Sequence, residues 1–188
     1  MNKQSSLLKI FHECQSCRRC PLFESRTNVV FSKGSPDADI FFVGEAPGEK
    51  EDLSGEPFVG ASGKLLDKFL AEAGIDKENV YVANVLKCRP PKNRDPLPAE
   101  EDACIDYLFS QIDTVNPKII VCLGRIAAKR LIKKDFKITD EHGIVFEKDG
   151  LKISAVYHPA AVLRDVKKRE EVMCDLKKIQ EMINSLKN

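Results

Sequence analysis

Ile40-Phe-Phe-Val-Gly-Glu-Ala-Pro-Gly48 is a short apolar run stopped abruptly by a turn sequence. The run has the length and composition of a buried strand, and Gly-Glu-Ala-Pro-Gly ends it. Glycines at 44 and 48 permit a sharp backbone and the close approach of a ligand, while Pro47 keeps Ala46 out of the helical region. In an open α/β sheet, ligands bind at the loops that follow the carboxyl ends of the strands. Glu45 places a carboxylate in such a loop. Alone, the stretch reads equally as an ordinary strand-to-loop turn with a surface Glu, so the rest of the chain decides.

Outward from this stretch, strands and helices alternate. Leu65, Leu66, Phe69, Leu70 and Ala73 recur at helical spacing, with Gly74 as the cap. Val80 to Val85 reads as a second buried strand. Pro98 with Glu100, Glu101 and Asp102 opens a further helix, as the macrodipole favours. Ile119 to Leu123 is a third strand, stopped by Gly124 and followed by a helix through Leu131. Ile144 to Phe146 and Leu151 to Tyr157, about a Lys-Asp-Gly turn, read as a hairpin or bent pair. Apolar positions at 172, 173, 176, 179, 183 and 186 predict a terminal amphipathic helix over 166–187. The alternation predicts one domain over residues 1–188, a three-layer α/β/α sandwich about a central, mainly parallel four-stranded sheet.

Several polar side chains fall at ends of these strands. Asn84 closes the second one, either satisfied locally or pointed at a ligand. His158 follows the last one and is stiffened by Pro159, as Glu45 follows the first. Between Gly48 and Gly63, a polar glycine-rich loop carries Pro57-Phe58-Val59, so Phe58 either covers the edge of the core or offers a stacking face in a pocket. Two tempting motifs fail. His12-Glu13-Cys14 lacks the residue that separates His from Glu in the zinc deaminases. Gly63-Lys64 ends like a phosphate-binding loop, but Phe58 stands at the first glycine position and Leu65 at the magnesium-binding hydroxyl position.

Cys14, Cys17 and Cys20 lie three residues apart, and C-x2-C steps let thiolates from one tight turn reach the same metal. Cys88 and Cys104 lie on either side of Arg89-Pro-Pro-Lys-Asn-Arg-Asp-Pro-Leu-Pro98, a linker too rich in proline for regular structure. A metal site bridging Cys88 and Cys104 to the N-terminal cysteines would hold that linker in shape. Zinc suits four cysteines, and so does a [4Fe-4S] cluster. Cys122 and Cys174, in apolar and helical patterns, read as core thiols.

Taken together, the stretches Cys20-Pro-Leu-Phe-Glu-Ser-Arg-Thr27, Gly44-Glu-Ala-Pro-Gly48, Pro57-Phe-Val-Gly60, Asn84-Val-Leu-Lys-Cys-Arg-Pro-Pro91 and His158-Pro-Ala160 resemble the iron–sulfur, family 4 branch of the uracil-DNA glycosylases. The resemblance runs from Cys17 to the final helix, and Glu45 is what separates this branch from a related one with Leu-Ala-Pro-Ala at the same place. It implies hydrolysis of the bond between uracil and deoxyribose in DNA, single- or double-stranded. It implies a [4Fe-4S] cluster on Cys17, Cys20, Cys88 and Cys104. Cys14 stands outside that pattern and offers a substitute for Cys17. By the same resemblance His158 donates to the uracil O2, Glu45 activates or positions water, Phe58 stacks on the flipped base and Asn84 reads its edge. Gly44, Ala46 and Gly48 line the base site, and Glu51 resembles the group that crowds out the methyl of thymine. Val162 or Leu163 would wedge into the base stack, with Arg164 on phosphates; the nearby Lys167, Lys168 and Arg169 would either join it there or form a solvated helix face.

Composition fits this reading without selecting it. The chain has 188 residues, enough for a sizeable core. Charged residues make up 31% and balance at +1, so no global field marks a nucleic-acid binder. Seven cysteines without a secretory hydrophobic segment argue for a metal site or free thiols rather than a disulfide scaffold. No apolar run approaches membrane-spanning length, so a cytoplasmic monomer away from membranes is expected. An electron carrier built on the cluster would leave Glu45, Phe58, Asn84 and His158 unexplained, and a non-catalytic DNA-binding module sits poorly with the near-zero charge.

Overall fold

In the computed structural model, residues 2–186 are described. The first half of the chain forms α1 (Lys3–Gln15), β1 (Ser32–Gly34), β2 (Ile40–Gly44), α2 (Glu49–Ser54), α3 (Ala61–Glu72) and β3 (Val80–Asn84). The second half forms α4 (Pro98–Val115), β4 (Ile119–Leu123), α5 (Arg125–Leu131), α6 (Ile138–Glu141), β5 (Phe146–Lys148), β6 (Leu151–Val156), α7 (Pro159–Arg164) and α8 (Lys168–Ser185).

The six strands form one sheet in the order β1-β3-β2-β4-β6-β5. The inner four are parallel, and β2, β3 and β4 are buried along their whole length, which requires helices on both faces. Alternation along β2 sends Phe41 and Val43 to one face and Ile40 and Phe42 to the other. The first face packs against Leu7 of α1, Leu108 and Ile112 of α4, and Ala127 and Leu131 of α5. The second packs against Leu66 and Phe69 of α3, Val162 of α7, and Leu176 and Ile179 of α8. This is the expected three-layer sandwich.

The sheet has two strands more than the four expected, both antiparallel at the edges. β5 belongs to the hairpin expected about Asp149 and Gly150, both at positive φ, but it runs from Phe146 to Lys148 rather than from Ile144 to Phe146. β1 carries no sequence signal, being two half-exposed polar residues and an exposed glycine that pair with β3. Its Gly34 is at φ 111°, and a Cβ there would lie 2.1 Å from the carbonyl oxygen of Val80.

Registry aligns the site. Gly44 of β2 lies opposite Asn84 of β3, and Leu123 of β4 opposite Val156 of β6, so four strands end on one side of the sheet. The chain leaves β2 through α3 on one face and β4 through α5 on the other, which opens a crevice between the ends of β2 and β4. Among the described residues, no helix is long and apolar enough to cross a membrane. Phe69, 1% exposed between α3 and the sheet, anchors the second layer. Phe69→Ala is expected to lower the unfolding free energy by about 3–5 kcal/mol, read as a lower urea midpoint at unchanged slope.

Candidate active site

The crevice holds a cavity of about 770 Å³ lined by residues from every inner strand end. Glu45 enters it directly after β2. The backbone beyond β3 pins this loop: Val85 N–H donates to Gly44 O at 2.9 Å and Leu86 N–H to Glu45 O at 3.0 Å. Burial pushes the Glu45 carboxyl up to about 7, helped by the nearby Asp95 carboxylate and opposed by the Arg125 guanidinium. Asp95 and Arg125 are themselves an ion pair on the rim.

Asn84 is buried, and nothing among the described residues donates a hydrogen bond to its Oδ1. Gly44 makes its position possible, since a Cβ at 44 would lie 2.3 Å from Asn84 Oδ1 and 2.6 Å from Phe58 Cζ. Phe58 both lines the cavity and packs on the core, so the two readings of it hold at once. Its φ is 56°, a left-handed conformation that costs energy for a bulky residue. Three contacts impose it. Lys33 Nζ donates to Phe58 O at 3.0 Å, and a Cβ at Gly63 would lie 1.8 Å from that oxygen. Glu51 Oε1 accepts from Val59 N–H at 3.0 Å and Gly60 N–H at 2.7 Å. Glu51 therefore braces the Phe58 loop, while its Oε2 lies over Gly48, where a Cβ would come within 2.7 Å.

His158 caps α7, its Nδ1 accepting from Ala160 N–H at 3.1 Å. The neutral ring then carries its proton on Nε2. Burial, reinforced by Arg164, depresses its pKa to about 4, so it is uncharged at neutral pH. Gly124 lets β4 pass close behind, since a Cβ there would lie 3.0 Å from His158 Cβ. The Phe58 and His158 rings lie 6.2 Å apart, tilted by 35°.

Glu45, Ala46, Gly48, Glu51, Phe58, Asn84, His158 and Arg164 thus share one cavity. Of the two candidate wedges, Val162 is a core residue, 3% exposed against the second layer, and has no side chain to offer DNA; Leu163 beside it is 51% exposed. Lys168 pairs with Asp165 and Arg169 with Glu72. Sequence reading missed Asn93, Arg94, Asp95 and Arg125 on the rim. Ion pairs hold the charged ones, Arg94 gripping Glu100 with both terminal guanidinium nitrogens at 2.9 and 2.6 Å, and Asn93 Oδ1 accepts from Arg89 Nε at 2.8 Å. Arg89 reaches Glu49 at 3.6 Å.

Cys14, Cys17, Cys20, Cys88 and Cys104 line a second, smaller cavity, with Arg19, Arg26, Lys87 and Tyr107 around them. Arg26 Nη1 donates to Cys88 Sγ at 3.2 Å, and Lys87 N–H to Cys104 Sγ at 3.3 Å. Thiolates are the donor set of iron–sulfur clusters and of zinc; burial pushes the Cys104 thiol up to about 11 and raises Cys88, opposed by Lys87 at Cys104 and by Arg26 at Cys88. Among the described residues, no three His, Cys, Asp or Glu side chains converge to hold a single ion. Cys122 is buried in β4 as expected, but Cys174 is exposed on α8 rather than in the core. Its turn of the helix faces outward, between the inward Val172 and Leu176.

The electrostatics of the rim can be checked directly. Asp95→Asn removes the like charge beside Glu45 and frees Arg125 to act on it. An NMR titration of side-chain-labelled Glu45 is expected to give a midpoint near 7 in the parent chain. In the variant it should fall toward the ordinary carboxylate range; an unmoved midpoint would mean that Asp95 has no influence.

Residues 31–181 match the model of the "Uracil DNA glycosylase superfamily". The chain is 50% identical to the type-4 uracil-DNA glycosylase of Archaeoglobus fulgidus over 185 residues, covering 94% of this chain and 93% of that one. It is 46% identical to the type-4 enzyme of Sulfurisphaera tokodaii, covering 94% and 84%, and 42% identical to that of Thermotoga maritima, covering 97% and 98%. With matches of this extent over the same strand ends that build the cavity, the chain belongs to the uracil-DNA glycosylase superfamily.

Proposed function

We propose that this chain is a DNA repair glycosylase that hydrolyses the N-glycosidic bond of deoxyuridine in DNA, releasing uracil and leaving an abasic site. The observation that carries the reading is Asn84 Oδ1, buried and unpartnered on a residue that lines the cavity, with room for it only because residue 44 is glycine. A buried acceptor left without a donor is costly and calls for a ligand that donates. Uracil does so through N3–H, and its O4 accepts from the amide nitrogen of the same side chain.

The base must leave the stack to reach this cavity, and Phe58 offers it a face. Leu163, exposed on α7, would fill the gap, with Arg164 on phosphate. As the C1′–N1 bond breaks, its electron pair moves onto the uracil ring and the sugar becomes oxocarbenium-like. His158 Nε2–H is a neutral donor for the charge growing on O2, and its low pKa matches that role. Glu45, as carboxylate, favours the cation and directs water to C1′, taking a proton from that water. The uracil anion takes up a proton from solvent on release.

The reading includes a [4Fe-4S] cluster held by Cys17, Cys20, Cys88 and Cys104, with Cys14 in the same cavity as a fifth thiol. The thiols that line this cavity are the donor set of a [4Fe-4S] cluster, whose irons each take one thiolate. Bound there, the cluster would tie the 88–104 segment to the N-terminus; the hydrolysis itself transfers no electrons.

A uracil-containing oligonucleotide incubated with the protein should become alkali-labile at the uracil. His158→Ala should slow single-turnover excision about 10²–10³-fold while DNA affinity, mostly from phosphate contacts, is kept. Intact strands with the parent chain would remove the proposed activity.

Asn84 yields a sharper outcome. Cytosine presents an acceptor at N3 and a donor at N4, so a fixed Asn84 amide meets two mismatches. Each leaves a buried group unpaired at about 1–3 kcal/mol, enough to reject the commoner base. Asp at 84 accepts from N4 and, when protonated, donates to N3. Asn84→Asp is therefore expected to lose most uracil excision and to release a small amount of free cytosine from C:G or C:A duplexes. Full uracil activity without cytosine release would show that Asn84 does not read the base edge.

A further inference from the structure

Lys87 is the one buried cation among the described residues, with no exposed surface. Its Nζ donates to Asn84 O at 2.8 Å and to Gln111 Oε1 at 2.6 Å, and lies 5.8 Å from the Phe31 ring centre. Its backbone is equally engaged. Its N–H donates to Cys104 Sγ at 3.3 Å, and its carbonyl accepts from Val30 N–H at 2.8 Å. Gln111 is held in turn, its Nε2 donating to Phe31 O and to the Tyr81 hydroxyl, both at 3.3 Å. Tyr81 donates onward to Ser32 Oγ at 2.6 Å.

A buried ammonium is expensive unless negative charge lies near it. Among the described residues, no carboxylate pairs with Lys87. Its two near acceptors are both neutral. The ionisable groups at hand are the cysteine thiols, Cys104 under its own N–H and Cys88 next in the chain, both lining the cavity that Lys87 also lines. Thiolates on a cluster bound in that cavity would supply the missing charge.

Five consecutive residues therefore join the two cavities. Asn84 stands in the base site, Val85 and Leu86 hold the carbonyls of Gly44 and Glu45, Lys87 holds Cys104, and Cys88 stands in the thiol cavity. The Lys87 side chain folds back three residues to Asn84 O and closes the segment on itself. We propose that Lys87 is a positioning residue that serves as counter-charge to the thiolate-held cluster and locks the base-reading end of β3 to it. The second half of this statement rests on the uracil-excision reading. The first half rests only on the thiol cavity.

Lys87→Met keeps length and loses the charge and the donors. The variant is expected to keep its iron, because all the thiols remain. Its cluster midpoint potential should shift to a more negative value, because an added electron loses a nearby positive charge. Its single-turnover uracil excision should fall about tenfold or more, the effect of one charged hydrogen bond, at unchanged DNA affinity. A merely structural lysine would lower the melting temperature and leave the potential and the cold-assay rate where they were. Iron-loaded Lys87→Met with the parent potential and rate overturns the proposal. If that variant fails to fold or to hold iron, Gln111→Leu decides: the charge stays, one anchor goes, and a severalfold slower excision at unchanged potential is expected, a parent-like rate overturning the link. Parent protein runs alongside. No uracil release from it would defeat the excision reading while the potential still decides the counter-charge; normal release from parent and variant alike would defeat Lys87 alone.

Discussion

The close approach of Gly44 to Asn84 is the constraint on which the site depends. At the ends of β2 and β3 the two residues face each other, with no space for even a methyl group between the Gly44 Cα and the Asn84 amide. Phe58 fills the remaining side of the same small volume. A glycine at the last position of a buried strand weakens that strand. Here the loss is offset by Val85 and Leu86, whose N–H groups extend the pairing past the strand end onto Gly44 and Glu45. The backbone that seats the carboxylate is thereby the backbone that seats the amide.

Around that contact, burial acts on two titratable groups in opposite directions. It raises the Glu45 carboxyl to about 7 and depresses His158 to about 4. The same removal of water that disfavours an anion at 45 disfavours a cation at 158, so both pKa values move toward neutrality of the group. For the proposed reaction the consequences differ. A neutral imidazole is a donor without a competing positive charge, whereas a carboxylate that is hard to ionise responds strongly to a cation forming beside it. After burial, the largest cause, the rim pair Asp95 and Arg125 acts on Glu45 in opposite directions, Asp95 raising and Arg125 lowering it.

The proline-rich segment between Cys88 and Cys104 links the two cavities more closely than a tether would. Lys92 and Asn93 are both at φ 54°, and Arg89 donates to Asn93 Oδ1 at 2.8 Å. With Arg94 on Glu100 and Asp95 on Arg125, ion pairs hold the rim of the base cavity at one end, while Cys88 and Cys104 at the segment's ends line the thiol cavity. A segment with few backbone hydrogen bonds of its own is kept in shape by its side chains.

Much was legible because it is local. Apolar runs of strand length, glycine stops and helical spacing are properties of a few neighbouring residues, and they were enough for the parallel core and for placing Glu45, Asn84 and His158 at strand ends. What lay beyond them is non-local. The edge strand β1 exists because β3 offers it a free edge, not because Ser32-Lys-Gly34 prefers to be extended. Val162 and Leu163 are indistinguishable as neighbours in sequence, and only the orientation of a six-residue helix buries one and exposes the other. Glu51, Lys33 and Gly63 converge on the strained Phe58 from three separate segments, and Lys87 finds Gln111 across 24 positions. Hydrophobic pattern and turn chemistry, which act over a few residues, determined the layers and the strand ends. Which side chains meet there was decided by packing and charge between distant segments, because those forces depend on distance in space and not on separation along the chain.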